Sequence, residues 1–310
     1  MPLPDAGPVV LLLAGALAAA DSLPGPPEPA ADRPAIYQPG IRIDWAGRRV
    51  EADGVVNMRA GLIELFACTR QARGHESVVM IAGRAEHLFQ ALGLIGCVPG
   101  RPMKYTGPDG AVEPAWGYPL RIDVRTAGPE GVTIVPIEQW LRPRDSDRPL
   151  GRLNWVFAGS HLLPDGRLAA DPEGTVVAVV DFPTALIALA ESHPPRYAEL
   201  WLDPRSEAIP PVGTPCTLVF SPGTLVLGLD RGGDPLWQGR RMAWGEVIRR
   251  LADLAGGDPT FDVAVHVDPE CPSWAARRLQ TLVEVLGIER LAEPASAPVF
   301  SAAASQPQDR

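Results

Sequence analysis

Lysine is almost missing from this chain: Lys104 is the single lysine, and arginine carries the rest of the positive charge. With a formal net charge of -9 and a sequence pI near 5.1, the clustered cationic surface on which phosphate-backbone binding rests is lacking, so nucleic acid is not an expected partner. The arginines, in a chain rich in Pro, Gly and Ala, are expected to be mostly solvated surface. Cysteine is scarce, with 4 in 310 residues. No phosphate-binding glycine loop, nucleophile elbow or dinucleotide fingerprint occurs, which removes the commonest nucleotide and hydrolase signatures. An apolar run of the ~20 residues needed to cross a bilayer is missing too.

The longest apolar run, Val9 to Ala20, has the form of a secretory signal's core, with Ala18-Ala19-Ala20 as the small-residue cleavage motif before Asp21. No Lys or Arg precedes it and Asp5 is acidic, so a leader on a cytoplasmic protein is the alternative. The expectation is export, to the periplasm or the outside, of a mature chain that begins near Asp21. No cysteine lies at the cleavage point, so no lipoprotein anchor is expected, and no transmembrane anchor is expected in the mature chain.

What is present divides as follows: a signal peptide over 1–20, a Pro/Ala/acidic linker over 21–34, a sheet-rich domain over 35–191, a proline-rich linker over 192–215, a second domain over 216–293 and a tail over 294–310. Short alternating stretches cut by Gly and Asp, such as GIRIDWAG, GLIELFACT, PLRIDVRTA and NWVFAGSHLL, read as strands. RAEHLFQALGLIG places Leu88, Leu92 and Ile95 on one helix face with Gly96 as its stop. CTLVFSPGTLVLG reads as a hairpin around Ser221-Pro222-Gly223. Two helices and two further strands follow, giving a small two-layer β-β-α-β-α-β module. The expected fold class is α+β, built as two α/β modules.

One window concentrates chemistry. Between Glu64 and Gly100 lie Cys68, Cys97, His75, His87 and the carboxylates Glu64, Glu76 and Glu86. His75-Glu76 falls between a loop and the strand from Ser77, where functional groups are often placed. One reading makes His75 a base or metal ligand with Glu76 its partner; the other makes the pair a hydrogen-bonded brace for the loop. For Cys68, a thiolate activated by His75 stands against simple core packing. About seven residues join the two strands, a length that typically returns the chain antiparallel, which would bring Cys68, His75 and Glu76 together at the sheet's rim. His87 is not at zinc-signature spacing from Glu76. Asn154, Trp155 and Gly159-Ser160-His161 are candidates to line the same cleft.

The stretch GLIELFACTRQARGHESVVMIAGRAEHLFQALGLIGCVPGRP, with NWVFAGS and DPEGTVVAVVDF downstream, resembles the YdjY family of bacterial exported proteins over about 50–190. That resemblance implies membership without an established activity; some members are described as iron–sulfur proteins, but four cysteines divided between two domains do not supply the thiolate spacing such clusters need. Residues 225–291 resemble the periplasmic domain of the ExbD/TolR biopolymer-transport proteins, which implies a fold and a habit of pairing with a like domain. The family's membrane helix and ion-coupling aspartate have no counterpart before Leu225. The resulting expectation is an exported binding or assembly protein of the bacterial cell envelope, with a protein partner or self-association through the second domain. The alternative is a metal-binding or hydrolytic enzyme using Cys68, His75 and Glu76. Cofactor and metal stay open.

Overall fold

Period-two alternation of apolar and polar residues, interrupted every few residues by Gly, Pro or Asp, makes this a chain of strands. In the computed structural model, residues 34–70, 74–107, 111–129, 131–146, 148–257, 261–288 and 290–292 are described. The expected signal peptide, all but the last residue of the first linker, and the tail lie outside the described residues. Strands β1 (Ala35–Gln38), β2 (Ile41–Asp44) and β3 (Arg49–Val56) form an antiparallel meander. β4 (Leu65–Thr69) and β5 (Ser77–Ile81) lead to helix α1 (Ala85–Leu94), which buries Ala85, Leu88, Ala91 and Leu92 and stops before Gly96, at φ 90°.

A two-residue hairpin, β6 (Lys104–Tyr105) with β7 (Val112–Glu113), precedes the long hairpin of β8 (Tyr118–Gly128) and β9 (Gly131–Pro136). Then come β10 (Leu141–Pro143), β11 (Trp155–Phe157), the one-turn α2 (Ala170–Glu173), β12 (Thr175–Ala178), β13 (Ile187–Leu189), β14 (Leu202–Pro204) and β15 (Pro215–Pro222). Eight of these close on themselves in the order β3-β15-β8-β11-β13-β12-β4-β5, with β5 pairing back onto β3. The result is a barrel, which sequence reading did not anticipate.

Alternation fixes which residues fill it. On β8, Tyr118, Leu120, Ile122 and Val124 are buried while Arg121 is exposed and Asp123 and Arg125 are partly so. Register puts Leu218 opposite Val124 and Phe220 opposite Ile122, and Trp155 and Phe157 of β11 opposite Leu120 and Tyr118. These side chains share one face and belong to the same core cluster. Each contributes about 1.5–3 kcal/mol of burial free energy. A second, smaller cluster of Leu65, Cys68, Val156, Ala178 and Ala188 lies on the opposite face of the same wall, under Met103 and Ala115.

The domain boundary expected at 216 and the linker expected over 192–215 are corrected by β15. Its residues pair antiparallel with β3 on one side and β8 on the other, so it is a barrel stave and not the start of a second module. The supposed linker buries Leu200, Leu202 and Ile209, and its β14 pairs with β10. The expected hairpin at Ser221-Pro222-Gly223 is corrected as well: the two strands exist but enter different sheets. Gly223 makes the transition, with its N–H donating to Pro119 O at 2.8 Å. A Cβ there would meet the Leu120 backbone at 2.9 Å.

The C-terminal sheet then keeps the α–β–α–β part of the expected β–β–α–β–α–β module; the expected first strand is the barrel stave β15, and two short strands not expected from the sequence follow the second. β16 (Thr224–Leu229), β17 (Pro235–Trp237), β18 (Arg240–Arg241), α3 (Trp244–Gly257), β19 (Asp262–Val267), α4 (Ser273–Val285) and β20 (Arg290–Ala292) give the sheet order β18-β17-β16-β19-β20. Its core residues, among them Leu225, Leu251, Phe261 and Leu279, join the barrel's in one continuous cluster, and the chain from Pro34 onward forms a single compact unit. The fold is thus sheet-rich, a closed barrel continuous with a mixed α/β sheet. Among the described residues no helix is long and apolar enough to cross a membrane.

Candidate functional site

β4 and β5 run parallel, with Leu65 opposite Ser77, Ala67 opposite Val79 and Cys68 opposite Met80. The antiparallel hairpin expected from the short connection is therefore corrected. Parallel neighbours usually need a crossover of a dozen or more residues; here β5 is held by antiparallel pairing with β3, which closes the barrel and fixes its direction. Asn57 tethers the returning chain, donating from Nδ2 to Gly74 O and, at 2.8 Å, to Ser77 O. Glu64 N–H donates to Glu76 O at 3.1 Å, which seats Glu76 at the beginning of β4.

His75 and Glu76 are in contact. His75 Nε2 lies 3.5 Å from Glu76 Oε1; the His75 side chain is 77% exposed and that of Glu76 28%. Glu76 Oε2 is buried without a hydrogen-bond partner. Cys68 is fully buried in the outer-face cluster beside Met103 and Ala115. Burial pushes its thiol pKa up, opposed in part by a hydrogen bond with Ser77. The polar group at Cys68 is thus the Ser77 hydroxyl. Cys97 and Cys216 are also buried, and Cys271 is half-buried.

Glu76 stands at one rim of the barrel, and hydrogen bonds lead from it around that rim. Val179 N–H donates to Glu64 O at 3.0 Å, Trp201 Nε1 to Val179 O at 2.8 Å, and Arg144 N–H to Trp201 O at 2.8 Å. Sequence reading passed over several of these residues, because they lie where proline suggested a linker. His193 stacks on Trp201 with ring centroids 3.9 Å apart, and burial lowers its pKa against the pull of Asp181. Ser192 Oγ donates to Asp181 Oδ2 at 2.6 Å, and Asp181 N–H donates to His193 O at 2.7 Å. Glu191 accepts from Asn154 Nδ2 at 2.5 Å, and its pKa is raised by burial. The apolar spacing of Leu200, Trp201 and Leu202 was the signal that this stretch packs.

Next to the rim is an open cleft of about 290 Å³ whose lining includes Ala60, Gly61, Arg142, Arg144, Asp203 and Ser206. Ser206 Oγ donates to Arg59 O at 2.6 Å, fastening the cleft's floor to the segment before β4.

The remaining motif residues are held by hydrogen bonds within the fold. Gly159 and Ser160 take positive φ, 87° and 59°. Ser160 Oγ donates to Thr184 O at 2.8 Å and accepts from Ala170 N–H at 3.0 Å. Thr184 Oγ1 in turn donates to Glu173 Oε2 at 2.8 Å. Trp155 points inward and donates to the buried Glu138 at 3.0 Å. Of the cleft candidates, only Asn154 reaches the rim. His161 accompanies Pro183 O at the other end, and His87 sits on α1 near Asp171. Among the described residues, no group of three or more His, Cys, Asp or Glu is arranged to hold a metal.

Compared with known proteins, the chain matches one family model, the YdjY domain, over residues 41–221. That span runs from β2 to within one residue of the end of β15, the whole of the barrel. No curated protein and no solved structure matches it.

Proposed function

We propose, from the premise that this chain belongs to the YdjY domain family, that it is an exported binding or assembly protein of the bacterial cell envelope. The observation that carries this reading is the division of labour within the barrel: a packed interior and an enclosed Cys68 on one hand, a polar rim opening on a cleft on the other. A rigid wall with exposed His75, a His193–Trp201 stack and an arginine-lined cleft is suited to holding a ligand without covalent chemistry. The resemblance of residues 225–291 to the ExbD/TolR periplasmic domain adds a protein partner or self-association through the C-terminal sheet. The exposed Trp274 and Val285 of α4 support that part.

Fractionation of the native host with intact-mass analysis and cross-linking tests this reading. The expected result is a mature chain in the envelope fraction, beginning near Asp21 and cross-linked into a species larger than one chain. A cytoplasmic monomer retaining Met1 would overturn it. A second reading, a metal-binding or hydrolytic enzyme, draws on the buried, partnerless Glu76 Oε2 beside His75. Stoichiometric metal in the purified protein, lost in His75→Ala, would favour it.

A further inference from the structure

Charge is left over at the cleft beside the rim. Many arginines of this acidic chain are ion-paired, among them Arg42 with Glu51 and Asp53, Arg84 with Asp171, Arg125 with Glu51, and Arg249 and Arg250 with Glu246, while others such as the exposed Arg70, Arg101 and Arg148 have no ion pair among the described residues. Arg142 and Arg144 both line the cleft, both are exposed, and neither has an ion-paired carboxylate among the described residues. Asp203 stands across the β10–β14 ladder from Arg142 without pairing to it, and Glu207, whose pKa Arg142 also helps to lower, is bonded by Arg205 at 2.8 Å. Two guanidinium groups without carboxylates, facing one cavity, are the side-chain chemistry that receives an oxyanion through paired N–H donors.

Two details narrow the ligand. The lining also includes Ala60 and Gly61, the latter at φ 111°, beside Leu62 and Pro204, so part of the cleft carries little side-chain bulk. Asp203 shares the cavity and repels a bare anion, so the occupant has to carry a hydrogen-bond donor beside its negative group. At about 290 Å³ the cleft has room for several water-sized groups. We infer that the cleft binds a hydroxyl-bearing phosphate ester, with Arg142 and Arg144 on the phosphate oxygens and Asp203 accepting from an adjacent hydroxyl. Such a group is found free, as a soluble polyol phosphate, or as the headgroup of a phospholipid. The inference rests on the reading of the rim as a binding surface and gives it a ligand class.

Titration calorimetry on the full chain, with glycerol 3-phosphate and with inorganic phosphate, tests it. A flotation assay on phosphatidylglycerol and on phosphatidylcholine vesicles forms the second arm. Wild type is expected to bind glycerol 3-phosphate more tightly than inorganic phosphate. The exposed pair Arg142→Gln/Arg144→Gln should weaken that binding at least tenfold while leaving the thermal unfolding midpoint in place. Asp203→Asn should narrow the preference for the ester, by weakening glycerol 3-phosphate and tightening inorganic phosphate. Binding only to phosphatidylglycerol vesicles, abolished in the arginine variant, assigns the phosphate to a lipid headgroup; binding of free glycerol 3-phosphate assigns it to a soluble ester. Failure of both probes, binding that the arginine variant retains, or equal affinity for ester and inorganic phosphate overturns the inference. Export and cross-linking would be untouched by that failure, so the two readings fall separately.

Discussion

The two ends of the barrel solve the same problem in opposite ways. β8 begins where β11 and β4 end and where β12 and β13 begin, as the register Phe157–Tyr118, Val177–Ile187 and Thr175–Cys68 shows. At that end the C-terminal sheet packs down as a cap. Phe261 meets Tyr118 edge-on at 6.0 Å, and Arg250 lies 5.0 Å from the centroid of Trp116 and 5.9 Å from that of Trp237. α3 approaches so closely that a Cβ on Gly257 would come within 1.8 Å of Val98 Cγ2. Its charges are neutralised in place: Arg249 at 2.6 Å and Arg250 at 2.7 Å both donate to Glu246, whose pKa is held down to about 2. The opposite rim carries His75, Glu76 and His193, with Arg142 and Arg144 at the cleft beside it, while Arg240 of β18 reaches back to Ala190 O at 3.4 Å beside Glu191. The same staves thus end in a hydrophobic seal on one side and in chemistry on the other.

Substitutions at the two ends should therefore differ in size. Phe261→Ala removes a fully buried ring from the seal and should cost about 3–5 kcal/mol in urea unfolding; a loss under about 1 kcal/mol would mean that the sheet only rests against the barrel. Glu246 sharpens the contrast through pH. Its folded pKa of about 2 lies below the unfolded value near 4.5, so its contribution is present above pH ~4.5 and lost as pH falls towards 2. Glu246→Gln should flatten that stretch of the stability–pH curve.

At the rim the pH effect comes from His193, whose folded pKa is depressed by burial. Stability should be full above the unfolded value of ~6.5 and decline as pH falls from there towards the folded pKa. His193→Gln should remove that decline, and an unchanged slope would show that the stack on Trp201 does not keep the imidazole neutral. The smallest effect belongs to His75→Ala, which should shift stability by less than about 0.5 kcal/mol because the side chain is largely in water.

Much of this was legible locally. The alternation in PLRIDVRTA and in CTLVFSP marks real strands, and the i, i+4 spacing of Leu88 and Leu92 marks a real helix face. Partnership was not legible. β15 bonds to β3 across a separation as large as that of Thr217 and Asp53, 164 residues apart, and nothing in either segment names the other. The seven-residue return from β4 to β5 looks like an antiparallel connection because the pairing that overrides it, β5 on β3, is non-local. Proline misled in a different way: between Ser192 and Pro215 it marks a chain that has few regular hydrogen bonds yet still packs Leu200, Leu202 and Ile209. His75 and Glu76 lie together because they are adjacent in sequence. Of the rim around them only Asn154 was legible, because the other members arrive from the end of β12 and the segment after β13.

The contrast between seal and rim depends on the barrel and the C-terminal sheet opening as one unit through Gly223. Native-state hydrogen exchange followed by mass spectrometry measures this most directly, by comparing peptides that cover Pro215–Pro222, Thr224–Leu229 and Asp262–Val267 over increasing denaturant. The expected result is that all three merge into the same global opening, with equal free energy and equal denaturant dependence. Exchange of the C-terminal peptides through a separate, lower-energy opening, with Pro215–Pro222 still protected, would contradict it.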